Sequence, residues 1–208
     1  MSPLIPKPTT GRGAFIELIV IVALAIGLAL LIQAFIVKPY QIPSASMEPT
    51  LDIGQRVLVD RVSYHFGNPE IGDIVVFHPP EGAVSANGPQ CGVPSPPPGE
   101  ACPQPVDQEA DTNFIKRIVA GPGDHLSIED GHPVVNGVEA KEDFIRPCGG
   151  GPSCNMPKEI EIPPNEYFMM GDNRGSSDDS RFWGPVPRDW IIGEAFFTYW
   201  PPDRIGLL

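Results

Sequence analysis

Hydrophobic positions are spread unevenly along the 208 residues. From Leu18 to Val37 the chain reads LIVIVALAIGLALLIQAFIV, with Gln33 as its only polar side chain. A helix of that length spans about 30 Å, the thickness of a bilayer's hydrocarbon core. The core helix of a globular domain would carry a polar stripe. A cleaved export signal would have a shorter apolar core ending in small residues. Here Lys38, Pro39 and Tyr40 follow instead. The pattern predicts an uncleaved single-pass anchor over residues 15–37, preceded by a short polar tail over 1–14. Lys7, Arg12 and the terminal amine precede the span, which favours a cytoplasmic tail and an exported domain from 38 to 208.

Beyond Lys38 the period shortens from that of a helix to that of strands. QRVLVD (55–60), IGDIVVF (71–77) and NFIKRIV (113–119) are short runs rich in Val, Ile and Phe, each bounded by turn residues. HLSIEDGHPVVNGVEA (125–140) holds Asp130-Gly131 and Asn136-Gly137, both two-residue hairpin signals, and predicts a small meander. EYFMMGD (166–172) and IIGEAFFTYW (191–200) predict later strands. The fold expected is mostly β: one N-terminal transmembrane helix and an antiparallel sheet domain. Residues 79–105 carry nine prolines in 27 positions and almost no large apolar side chain, which reads as a Pro-rich surface insertion between two strands.

Composition narrows the function. The 27 prolines and 22 glycines favour short strands and many turns over a helical bundle. With 14 basic against 26 acidic residues the net charge is −12, and no basic cluster exceeds the pair Lys116-Arg117. No basic face is available for nucleic acid, which is excluded as a partner. The four cysteines, Cys91, Cys102, Cys148 and Cys154, lie as two close pairs in Pro/Gly-rich loops. Three pairings are possible; an oxidising compartment favours the local ones, Cys91–Cys102 and Cys148–Cys154.

Candidate chemistry begins with the bases. Of five lysines, Lys116 alone lies inside an apolar run, with Phe114 and Ile118 as its face-mates on a strand. Arg117 has similar neighbours, but arginine does not lose its proton in proteins, whereas a desolvated lysine does. Moving a lysine from about 10.4 toward about 7.5 costs roughly 4 kcal/mol, which burial supplies. The alternative is a lysine that snorkels from a sheet edge. Ser44 and Ser46 lie between Pro43 and Pro49 just past the anchor, as either a stiff linker or a rigid loop presenting a nucleophile. GDNRGSSDDSR (171–181) is very polar yet stands between YFMM and FWGPVP, a setting that predicts a buried hydrogen-bonded network. The spacing of His65, His78, His125 and His132 singles out none of them as a triad base.

PSASMEPTL, IGDIVVF, FIKRIVAGPGD and GDNRGSSDDSR, in that order after an anchor, together resemble the bacterial type I signal peptidase family. The resemblance implies a membrane-bound serine endopeptidase, single-pass in the plasma (inner) membrane with an extracytoplasmic catalytic domain. It would remove signal peptides from exported preproteins lying in the lipid bilayer, without metal or cofactor. Ser46 would be the nucleophile and Lys116 the general base, with Ser44 and the Ser46 N–H forming an oxyanion hole. Ser177 would orient the lysine amine, Asp179 and Arg181 would form an ion pair, and Gly171 and Asp172 would shape the pocket. Met47, Phe182 and Trp183 would meet lipid. Two rivals are a relative specialised for one secretion or pilus substrate and a non-catalytic anchored β domain that binds signal sequences.

Overall fold

The computed structural model describes residues 11–85 and 88–208. Helix α1 runs from Gly11 to Phe35. It begins four residues before the predicted anchor and takes in residues 11–14 of the predicted tail; residues 1–10 of that tail, with Lys7, lie outside the described residues. The window Gly13–Leu30 has a mean hydropathy of 2.6 and none of it is buried by protein. A helix that is apolar all round and uncovered by its own domain requires lipid around it.

The helix stops where sheet pairing starts. Ile36 O accepts from Arg61 N, and β1 (Val37–Gln41) pairs antiparallel with β2 (Arg56–Asp60) from Val37↔Asp60 onward. A single-turn helix α2 (Ser63–Phe66) leads to β3 (Ile74–Phe77), and β4 spans Phe114–Ala120. The meander is β5 (His125–Glu129), β6 (His132–Val135) and β7 (Val138–Glu139). Its turns fall at Asp130-Gly131 (φ 48° and 83°) and Asn136-Gly137 (φ 52° and 78°). Positive φ at both central residues is what the type I′ hairpin demands. Then follow β8 (Met156–Glu161), β9 (Glu166–Met170), the single-turn helix α3 (Ser180–Trp183), β10 (Val186–Pro187), β11 (Ile191–Trp200) and β12 (Gly206–Leu207).

Two antiparallel sheets result. The larger has the order β1-β2-β11-β3-β4-β9-β10, with β12 added on β11; the smaller has the order β7-β6-β5-β8. Alternation along β3 sends its four buried residues to two cores. Ile74 and Val76 meet Ile42, Met47, Leu51, Val57 and Val59, while Val75 and Phe77 meet Ile118, Met169 and Trp183. A third core joins the sheets. The β4–β9 pairing slips between Ile118 and Ala120, and this bulge lets adjacent Val119 and Ala120 both face Leu126, Ile128 and Phe168.

The connection from β3 to β4 contains the Pro-rich segment. Cys91 is bonded to Cys102, and Cys148 to Cys154. The middle of the segment and its ends behave differently, Pro79, Pro80 and Pro105 being buried. Residues near Pro94 and Pro97 are largely exposed, whereas Ala101 and Cys102 are buried and Cys102 N donates to Arg181 O. Met47 and Trp183 are completely buried, which removes them as lipid contacts; both fill core space that backbone turns turn inward. Phe182 is half-buried. Ile53, Trp200, Ile205 and Leu207 are among the large apolar side chains left exposed outside α1.

Candidate active site

Ser46 sits in a single 3-10 turn, Ala45–Met47, between the extended Pro43-Ser44 and buried Met47. Three contacts fix this turn. Met47 O accepts from Leu51 N; Ser46 O accepts from Asn173 N at 3.0 Å; and Ala45 O accepts from the Asn173 side-chain amide at 3.0 Å. The proline-flanked serines are therefore part of a clamped loop, not a free linker. Asn173, which bridges two distant stretches, is a positioning residue that sequence reasoning did not single out.

Lys116 comes from β4, where Val75 of β3 is its cross-strand partner. Only 4% of the residue is exposed, and its Nζ donates to Ser46 Oγ at 2.8 Å and to Ile115 O at 3.2 Å. The Phe114 ring lies 5.5 Å from the amine. A lysine inside an apolar sheet loses the hydration that favours its charged form. Burial lowers its pKa from 10.5 to about 8; Asp179 and Asp178 oppose the shift, Arg181 adds to it, and Asp172 opposes it. Ser44 is exposed, with its Oγ 3.3 Å from Ser46 Oγ.

Most of the polar stretch 171–181 is a buried network, while Gly175, Ser176 and Asp178 are exposed. Asp172, Arg174, Ser177, Asp179, Ser180 and Arg181 are all buried. Asp179 accepts from Arg181 Nε at 2.7 Å, from Arg181 Nη2 at 2.9 Å and from Gly171 N at 3.1 Å. Arg181 also donates to Ser153 O in the Cys148–Cys154 loop and to Arg174 O. Asp172 is held by Arg117 at 2.9 and 2.7 Å and by the Thr50 hydroxyl at 2.5 Å. Thus Asp172 does not line the pocket; it ties the stretch to β4 and to the serine loop. Arg174 pairs with Glu142 at 2.7 Å. Glu142, Thr50 and Arg117 reach the network from far along the chain, so local pattern gave no sign of them.

Ser177 does not make the expected bond to Lys116. Its Oγ is buried and has no hydrogen-bond partner among the described residues, the second lysine bond going to Ile115 O instead. A buried hydroxyl left unpaired costs about 1–3 kcal/mol.

Gly171 explains how closely these parts pack. A Cβ there would stand 2.3 Å from Ser177 Oγ and 2.4 Å from Ser46 O. Gly171→Ala is expected to destabilise the domain by about 1–3 kcal/mol through overpacking. It should also lower kcat/KM by about a hundredfold, because the backbone carbonyl that must yield belongs to Ser46. Denaturant unfolding alongside peptide cleavage checks both effects.

A groove of about 610 Å³ opens beside the serine. Tyr40, Ile42, Pro43, Val76, Phe114 and Ile115 give it an apolar lining, and Ser44, Ser46, Lys116, Ser176 and Asp178 also border it. None of the four histidines does; His78 Nδ1 lies 2.9 Å from Thr112 O. The arrangement is a hydroxyl within reach of an amine that loses its proton near neutrality, beside a cleft able to hold an extended apolar segment. That is the equipment of nucleophilic acyl transfer with lysine as base.

The chain belongs to the signal peptidase family of serine peptidases, peptidase S26, whose profile matches residues 15–200. It is 38% identical over 192 residues to "Probable signal peptidase I-1" of Synechocystis sp., covering 92% of this chain and 86% of that protein. To "Signal peptidase I" of Leptolyngbya laminosa it is 37% identical over 187 residues, 90% of this chain and 80% of the relative. "Signal peptidase IB" of Staphylococcus aureus is 30% identical over 205 residues, covering 91% and 92%.

Proposed function

We propose that this membrane-anchored signal peptidase I removes signal peptides by a Ser46–Lys116 dyad, with the catalytic domain (38–208) on the extracytoplasmic face of the plasma membrane. The observation that carries the mechanism is the 2.8 Å contact between Ser46 Oγ and the buried Lys116 amine. The neutral amine takes the proton of Ser46 as Oγ attacks the scissile carbonyl, and later gives it to the departing amine. Ser44 Oγ and the Ser46 N–H receive the oxyanion, a contribution of about 2.7–4 kcal/mol per donor in other proteases. The unpaired Ser177 hydroxyl gains a partner if the lysine amine swings toward it during the cycle, which gives this residue an orienting role. Asp179 with Arg181, Gly171 and Asp172 hold the stretch in place. The exposed middle of the Pro-rich segment 79–105 is an addition on the domain's surface between β3 and β4, tied in by its buried ends.

The substrate enters as an extended strand. β1 stands at the end of its sheet, and the groove borders the residues that continue it, so backbone pairing would hold the peptide while shallow apolar walls accept small side chains at −1 and −3. A helix still in the bilayer delivers its cleavage site to this level, since α1 anchors the enzyme in the same membrane.

A precursor peptide with Ala at −3 and −1 tests the reading. Because the amine must be neutral in free enzyme, kcat/KM should rise about tenfold per pH unit at low pH and level off above about 8. A flat profile from pH 6 to 9, or cleavage at another bond, would overturn the dyad.

A further inference from the structure

Three carboxylates and one guanidinium act on the Lys116 amine: Asp179, Asp178, Arg181 and Asp172. They are not equivalent. Asp179 is matched by Arg181 and Asp172 by Arg117, each through two hydrogen bonds. Asp178 has an uncharged partner, the side-chain amide of Gln90, whose Nε2 donates to its two carboxylate oxygens at 3.2 and 3.4 Å. Asp178 and Lys116 are also the two charged side chains bordering the groove.

We infer that Asp178, held by Gln90 of the β3–β4 connection, is a positioning residue that sets the charge balance around the Lys116 amine. This rests on the dyad reading above. When the Ser46 proton moves to Nζ and the Oγ–carbon bond forms, the amine becomes an ammonium inside an apolar wall. The carboxylates of Asp179 and Asp172 are already balanced by their arginines, so Asp178 supplies the counter-charge the ammonium lacks. It stabilises the charged amine at the cost of leaving less of it neutral at rest. Asp178 is exposed on its outer side, and the groups facing it are Asp179, Lys116 and Arg181: partial burial and Asp179 raise its pKa, while Lys116 and Arg181 lower it. Gln90 gives the Pro-rich connection a direct link to this chemistry, since its amide fixes where the carboxylate stands.

The pH dependence of kcat/KM separates this role from a structural one. The full chain in detergent micelles, with the Ala-Ala precursor peptide, would be compared as wild type, Asp178→Asn, Asp178→Glu and Gln90→Leu. Asp178→Asn is expected to move the acid limb to lower pH by about one unit and to lower the plateau several-fold. Asp178→Glu should restore the wild-type limb, and Gln90→Leu should shift it in the same direction as Asn but less. A limb that stays in place in folded Asp178→Asn overturns the inference. So does a Gln90→Leu limb that matches wild type, a result independent of how well the Asn variant folds. If the wild type itself shows no limb near 8, the dyad reading fails first, which keeps the two failures distinct.

Discussion

Ser46→Ala is expected to reduce kcat on the order of a millionfold while leaving the fold and the binding of precursor intact. The hydroxyl is the one atom removed; the turn that carries it is held by backbone contacts to Leu51 and Asn173 that alanine keeps. One hydrogen bond to Lys116 is lost, worth about 1 kcal/mol. Single-turnover cleavage of the Ala-Ala precursor, with thermal unfolding as control, measures both quantities. A loss of less than about a thousandfold would transfer the nucleophile to another residue, since binding and the oxyanion donors alone sustain a residual rate. A Ser46→Ala/Lys116→Met double variant should be no slower than either single variant, because residues acting as a unit lose their effect together.

Lys116→Met carries the second large effect, and here activity and stability move in opposite directions. Cleavage should fall about as far as in Ser46→Ala. Stability at pH 7 should rise. In the folded chain burial lowers the lysine pKa from 10.5 to about 8, so the folded state disfavours the charged form. The unfolded chain therefore binds more protons between those values, and stability rises with pH across that window. Below about 8 the cost is present in full, about 3 kcal/mol at about 1.4 kcal/mol per pH unit. It fades as pH climbs toward 10.5. Methionine of similar length removes the cost at every pH, so the variant's advantage should be large at pH 7 and small at pH 10. Chemical denaturation at the two pH values decides it; an equal gain at both would mean that burial does not disfavour the charged form of the lysine.

How far the sequence reveals this molecule depends on where each residue finds its partners. The anchor and the meander were legible because their signals are local: an unbroken apolar run, and Asp130-Gly131 and Asn136-Gly137 at turns that need positive φ. β1 was partly hidden, since Lys38-Pro39 reads as the flank of a membrane span although it pairs in register with Leu58 and Val59. β8 was missed because only Met156 and Ile160 of its six residues are buried, and Pro157, Lys158 and Glu159 mask the alternation. In the site, Lys116 stood out as a charge inside an apolar strand, and chemistry separated it from Arg117. The burial of residues 171–181 followed from the apolar runs on either side. The partners of that stretch did not: Thr50, Arg117 and Glu142, and the serine loop that Asn173 holds, meet it only once the sheets are assembled. That the Ser177 hydroxyl is buried without a partner among the described residues likewise emerges only from the assembled packing.

A single residue, Ile36, separates the end of α1 from the first residue of β1, and β1 runs on into the segment that carries Ser46. That stretch leaves a one-residue connection between helix and sheet. With Ser46 as the proposed nucleophile, this short connection ties the height of its oxygen to the end of α1, as a mark is cut into a ruler. On the proposed dyad, precursors are expected to be sorted by depth as well as by sequence, a cleavage motif that emerges too high or too low on its own helix passing uncut.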